Sequence, residues 1–149
     1  MVALLDVNAL VALVDSEHVG YEAMHQWFAQ NASQGWATCP LTENGMVRVL
    51  SQPSYPSGQR TPAEVIRVLS ALKSAYAGVY QFWSDDVSIS DDALFAPEFI
   101  ISTRQVTDAY LLGLASRHKG AVVSFDKSMP WQAVRNGTRV LIQSPSRHS

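Results

Sequence analysis

Val2-Ala3-Leu4-Leu5-Asp6-Val7-Asn8 opens the chain, and Ala121-Val122-Val123-Ser124-Phe125-Asp126 repeats its form near the other end. Each is a short apolar run closed by an aspartate. Runs of this kind, without polar alternation, read as strands buried on both faces of a parallel sheet. Asn8 has the chemistry of an N-cap, which predicts a helix through Ala9-Leu10-Val11-Ala12-Leu13-Val14. The order is strand, tight turn, helix.

The same alternation continues along the chain. Residues from about 20 to 32 carry Tyr21, Met24, Trp27 and Phe28 on one helical face. Trp36-Ala37-Thr38-Cys39 reads as a second strand, and Pro40 to Thr42 leads into a helix beginning near Glu43. Residues 52–60 are rich in Pro, Ser and Gly, so a mobile loop is expected. Thr61-Pro62-Ala63-Glu64 has the form of a capping box with proline at the first helical position. Val79 to Trp83 and Val87 to Ile89 are weaker strand candidates. A helix is predicted over about Thr107 to Lys119, with Gly120 as its left-handed C-terminal residue, and Val140 to Ile142 as the last strand. Strands alternating with helices define an α/β fold, a mainly parallel sheet with helices on both faces.

Composition bounds the function. The 149 residues fit one domain, 1–149, with 144–149 as a frayed tail, and 47% hydrophobic against 16% charged residues suits a compact core. A net charge of -2 supplies no global field for a polyanion, so a phosphate-binding surface must be a local cluster of cations. One cysteine, Cys39, excludes an internal disulfide, and His18, His25, His118 and His148 lack zinc-ligand spacing. No apolar stretch approaches the ~18 residues of a membrane span, so a cytoplasmic location is expected.

Four acids carry the chemistry. Asp6 and Asp126 close strands, where ligand sites of parallel sheets lie, while Glu43 and Asp108 fall in helical first turns, near the positive end of a helix dipole. Taken singly, Glu43 and Asp108 read better as helix-capping acids than as catalytic ones, and Asp6 and Asp126 read equally well as Asx-turn residues. Taken together they raise an electrostatic problem. Two carboxylates ~4 Å apart repel by about 4 kcal/mol at an effective dielectric of ~20, so converging acids take up protons unless a cation is present. Mg²⁺ or Mn²⁺ suits hard carboxylate oxygens, needs only one or two of them directly, and can activate a water toward a phosphodiester.

The motifs also carry a resemblance. Leu4-Leu5-Asp6-Val7-Asn8-Ala9-Leu10, Thr42-Glu43-Asn44-Gly45-Met46-Val47-Arg48-Val49-Leu50, Val106-Thr107-Asp108-Ala109-Tyr110-Leu111 and Val123-Ser124-Phe125-Asp126-Lys127 occur in the order and spacing of the PIN-domain ribonucleases. The chain most resembles the VapC-type toxins of toxin–antitoxin pairs, over essentially its whole length. That resemblance implies a three-layer α/β/α domain cutting single-stranded or loop regions of tRNA or rRNA by a metal-activated water. It implies an acidic site of Asp6, Glu43, Asp108 and Asp126, with Asp6 and Asp108 holding Mg²⁺ or Mn²⁺ most directly and Asn8 and Ser124 as supporting polar residues. It also implies a homodimer held inactive by a cognate antitoxin whose C-terminal segment reaches the acidic site.

Other readings stand beside it. Arg48 can reach an RNA phosphate or serve as a solvated helix arginine. Arg60, Arg104, Arg117, Lys119, Lys127 and Arg135 can rim an RNA groove or simply solubilise the surface. None of Trp27, Trp36, Trp83 and Trp131 is assigned to RNA, core or dimer packing being the expectation. An aspartyl-phosphate phosphatase using Asp6 is disfavoured because Asn8 stands where such enzymes carry a second aspartate. A non-catalytic dimeric binding module with an acidic pocket is the remaining alternative.

Overall fold

A computed structural model describes residues 1–143; the tail expected over 144–149 lies outside the described residues. The elements are β1 (Ala3–Leu5), α1 (Val7–Val14), α2 (Tyr21–Asn31), β2 (Trp36–Thr38), α3 (Pro40–Leu50), α4 (Pro62–Ala75), β3 (Tyr80–Phe82), α5 (Val106–Arg117), β4 (Ala121–Ser124) and β5 (Arg139–Leu141). All strand pairs are parallel, in the order β3-β2-β1-β4-β5. From β1 the sheet extends one way through β2 and β3 and the other way through β4 and β5. The switch falls between β1 and β4, whose register pairs Leu5 with Val123. A crevice outside the strands' carboxyl ends is expected there.

Strand alternation builds two cores. Ala3, Leu5, Trp36 and Val123 face residues of α1 to α4, among them Leu10, Phe28, Met46 and Val65. Leu4, Ala37 and Val122 face the opposite way, onto Leu111, Leu112, Leu114 and Ala115 of α5 and onto Trp83 and Phe95. Three layers result, because period-two strands buried on both sides need helices over each face. Close approach sets the spacing of α1 and α3: a Cβ on Gly45 would stand 2.5 Å from Cγ2 of Val7, a β-branched side chain with little freedom to move aside.

Several local expectations change. The residue capping α1 is Asp6, whose Oδ1 accepts from the Val7 amide at 2.8 Å, so Asn8 is helical and free for other bonds. At the end of α5 the left-handed residue is Lys119, φ 57°, and Gly120 follows it. Gly120 donates to the Ala115 carbonyl at 2.8 Å and Lys119 to that of Ser116 at 3.0 Å, the Schellman pattern displaced by one residue. Glycine is required at 120 for a packing reason, since a Cβ there would meet the Val2 carbonyl oxygen at 2.4 Å. Thr61 caps α4 through the Glu64 amide at 3.1 Å, with Pro62 at the first helical position, as expected. Val87 to Ile89 form no strand.

The loop over 52–60 is tied down, contrary to its composition. Asp15, buried at the end of α1, accepts from the Tyr55 hydroxyl at 2.5 Å, the Ser57 hydroxyl at 3.0 Å and the Glu17 amide at 3.0 Å, with Arg60 at 3.5 Å. Burial pushes this carboxyl up, but these donors and the Arg60 charge outweigh it and hold it below the usual carboxylate value of 3.8. A lowered pKa contributes stability above the unfolded value and loses it as pH falls through the folded one. Tyr55→Phe is therefore expected to cost about 1.5–3 kcal/mol at neutral pH, with faster proteolytic nicking over 52–60. The difference from the parent should shrink in urea unfolding as the pH drops well below 3.8.

Candidate active site

Asp6 and Asp126 reach the switch crevice because β1 and β4 end side by side. The Asp6 amide donates to the Val123 carbonyl at 3.0 Å, which locks the two strand ends in register. Ser124, the last residue of β4 and fully buried, ties these strand ends to the start of α1. Its hydroxyl donates to Asp6 Oδ2 at 2.9 Å and accepts from Asn8 Nδ2 at 3.0 Å and from the Asp126 amide at 3.0 Å. A serine hydroxyl offers one donor and two acceptor sites, so its capacity is used in full. Asn8 Oδ1 completes the link by accepting from the Phe125 amide at 3.1 Å. The two supporting residues read from the sequence thus meet across the sheet, and Asn8, committed to these bonds, is no second acid.

Asp108 enters from the first turn of α5 and faces both strand-end acids. Burial, the charges of Asp6 and Asp126, and a hydrogen bond with Asp126 push its carboxyl up to about 7. Asp6 is also raised, by burial foremost and by Asp126, against the lowering bonds from Ser124 and Val7. Asp126 Oδ1 is taken by the Ser128 amide at 2.8 Å and the Ser128 hydroxyl at 2.7 Å. Asp108 and Asp126 line a cavity of about 550 Å³ with Ile101, Ser102, Arg104, Gln105 and Ser128.

Glu43 is held by partners of its own. Its Oε2 accepts from the Thr38 hydroxyl at 2.6 Å and the Tyr80 hydroxyl at 3.3 Å, and pairs with Lys73 of α4 at 2.5 Å. It lines a different groove, between α3 and α4, with Arg48 and Lys73. Among the described residues Arg48 forms no salt bridge. Of the other candidate cations, Arg60 serves Asp15, Arg117 pairs with Asp91 and Arg135 bonds the Asp92 carbonyl, while Arg104 lines the acidic cavity. The sequence reading missed Lys73 and Tyr80 because both lie far along the chain from Glu43, Tyr80 by 37 residues. Thr38 is near in sequence but carried no distinguishing mark.

Among the described residues no three His, Cys, Asp or Glu side chains form a ready-made metal cage. The donor set nonetheless fits a hard divalent cation that keeps its waters, since such an ion needs only one or two carboxylates. Asp6 uses each oxygen once, for Val7 and for Ser124, and a carboxylate oxygen has a second lone pair. The upward shift of Asp108, caused by burial first and by the charges of Asp6 and Asp126 next, is relieved by a proton or a cation.

That crowding has a sign in metal-free protein. A carboxyl raised from 3.8 to about 7 contributes its stability below pH 3.8 and loses it as the pH rises to about 7. Asp108→Asn removes the charge, so in chelator it should match the parent near pH 4 and exceed it by about 1–2 kcal/mol at pH 8, after discounting for solvent screening. Urea unfolding at the two pH values checks this, and an unchanged difference would mean that neither burial nor the neighbouring acids raise Asp108.

Known proteins share this sequence pattern. Residues 3–134 match the PIN domain family. Ribonuclease VapC44 of Mycobacterium tuberculosis (strain H37Rv) is 44% identical over 140 residues, covering 93% of this chain and 96% of the relative. Ribonuclease VapC38 of the same strain is 48% identical over 124 residues, 83% and 84% of the two chains, and Ribonuclease VapC39 is 43% identical over 129 residues, 87% and 91%. With its switch-point acids on an all-parallel sheet and similarity of this extent, the chain belongs to the PIN-domain family, within its VapC group.

Proposed function

We propose that this protein is an endoribonuclease toxin that cuts unpaired or loop regions of tRNA or rRNA, with Mg²⁺ or Mn²⁺ as cofactor. The observation that supports the reading is that Asp108, partly buried, feels the charges of both Asp6 and Asp126, so that burial first and these charges next push its carboxyl up to about 7. The names of the VapC relatives support the same chemistry.

Asp6 and Asp108 would hold the ion, which when bound supplies Lewis-acid chemistry: a more acidic water and neutralisation of charge growing on a phosphoryl oxygen. Asp126, with one oxygen fixed by Ser128, orients the attacking water and accepts its proton. Ser124 and Asn8 position Asp6 and the Asp126 backbone, so the acids meet substrate already arranged. Glu43 has the outer part, fixing Lys73 at the edge of the α3–α4 groove. Arg48, in the same groove, is available to a substrate phosphate. The proposal extends to a homodimer, to a cognate antitoxin that silences the site, and to a cytoplasmic setting; no helix among the described residues is long and apolar enough to cross a membrane.

The test is induction of this protein alone, with new RNA 5′ ends mapped. The parent should arrest growth and leave discrete cuts, lost on chelation and restored by Mg²⁺ or Mn²⁺. Asp6→Asn and Asp108→Asn should each fold yet lose at least about 100-fold in cleavage rate, and Glu43→Gln should lose less. Full cleavage by either aspartate variant would defeat the proposal.

A further inference from the structure

An apolar shelf borders the acidic cavity and has no part in the chemistry above. Phe99 is 47% exposed, Ile101 82% and Trp131 44%, unlike Trp36 and Trp83, which are buried. Phe99, Ile101 and Trp131 line a cavity of about 290 Å³. That cavity and the acidic one share Ile101, Gln105 and Ser128, so the two are continuous. The shared rim is braced: Gln105 accepts from the Ile101 amide at 3.0 Å and donates to the Ser128 carbonyl at 3.1 Å.

Charge distinguishes the shelf from a simple apolar patch. Arg139 lies 5.8 Å from the centre of the Trp131 ring, and its guanidinium donates to the carbonyls of Lys127 at 3.2 Å and Met129 at 3.3 Å. Lys127 lines the same cavity, and among the described residues no Asp or Glu does. On a chain of net charge -2, a cation-rich aromatic shelf ending at the acids is a local exception. Exposed aromatics interleaved with Arg and Lys are how single-stranded nucleic acid is gripped, by base stacking and phosphate contacts.

We infer that the Phe99–Ile101–Trp131 shelf is a base-stacking subsite for an unpaired nucleotide flanking the scissile phosphate, with Arg139 and Lys127 neutralising the adjoining backbone. The inference rests on the ribonuclease reading and deepens it. Every base has a π-face, so the subsite selects for an unstacked nucleotide more than for its identity. Duplex RNA cannot present one.

The test uses short single-stranded RNAs copied from a mapped cut site, intact or with one abasic nucleotide at each position beside the cut. Trp131→Ala should raise KM for intact RNA by about 5- to 100-fold with kcat little changed, and Trp131→Phe should restore most of the loss. In the parent, one abasic position should give a similar rise, to which Trp131→Ala adds nothing. Unchanged KM in Trp131→Ala, or equal losses on intact and abasic RNA, overturns the inference, as does a shift in sedimentation to a smaller species, which would make the shelf a subunit contact. If Trp131→Ala does not fold, the abasic series in the parent decides: indifference at every position overturns the subsite. A parent that cuts no RNA sinks the ribonuclease reading and this inference with it, whereas cutting with unaltered KM sinks the inference alone.

Discussion

The hydroxyl of Ser124 is the atom on which the acidic edge depends. It joins the end of β4 to Asp6 after β1, to Asn8 in α1 and to the amide of Asp126. Asp6 lies 118 residues from it along the chain and Asp126 only two. A buried hydroxyl that gives its shortest bond to Asp6 and accepts from Asn8 and the Asp126 amide holds these groups in place before any ligand arrives. Loss of that atom would leave an aspartate and an amide without their partner in a place water reaches poorly.

Crowded charge is the cost of this arrangement. Asp108 is pushed up because it is partly withdrawn from water and because Asp6 and Asp126 face it. The fold could lower that cost by bringing Lys73 to the trio, yet Lys73 is held by Glu43, through a tight pair reinforced by Thr38 and Tyr80. The charge that remains is available to a cation. Strain retained at a site and absent elsewhere is a mark of function. Asp15 offers the contrast: it is also a buried carboxylate, but its donors and Arg60 satisfy it, and its role is to hold a loop.

Around the trio the surfaces differ in kind. The groove between α3 and α4 presents Glu43, Arg48 and Lys73, mixed in sign. The shelf beyond Gln105 presents Phe99, Ile101 and Trp131 with Arg139 and Lys127. Under the inferred base-stacking subsite, a polyanion crossing the switch crevice would find cations and ring faces on the second surface and mixed charge on the first.

Sequence alone determined the alternation of strands and helices, the two switch-point strands and the acids that end them, because buried parallel strands and helix starts are written in neighbouring residues. Its errors were local and had tertiary causes. Asp6 took the cap expected of Asn8, since Asn8 is needed by Ser124 and Phe125. Lys119 took the left-handed turn expected of Gly120, which is held to glycine by the Val2 carbonyl. The loop over 52–60 gained its order from Asp15, some 40 residues earlier. Only the folded chain decided which charges face Asp108, that Glu43 is claimed by Lys73, and that Trp131, unlike Trp36 and Trp83, lies exposed in a cavity adjoining the acidic one. Distances between residues remote in sequence are set by how sheet and helices pack, and no local pattern encodes them.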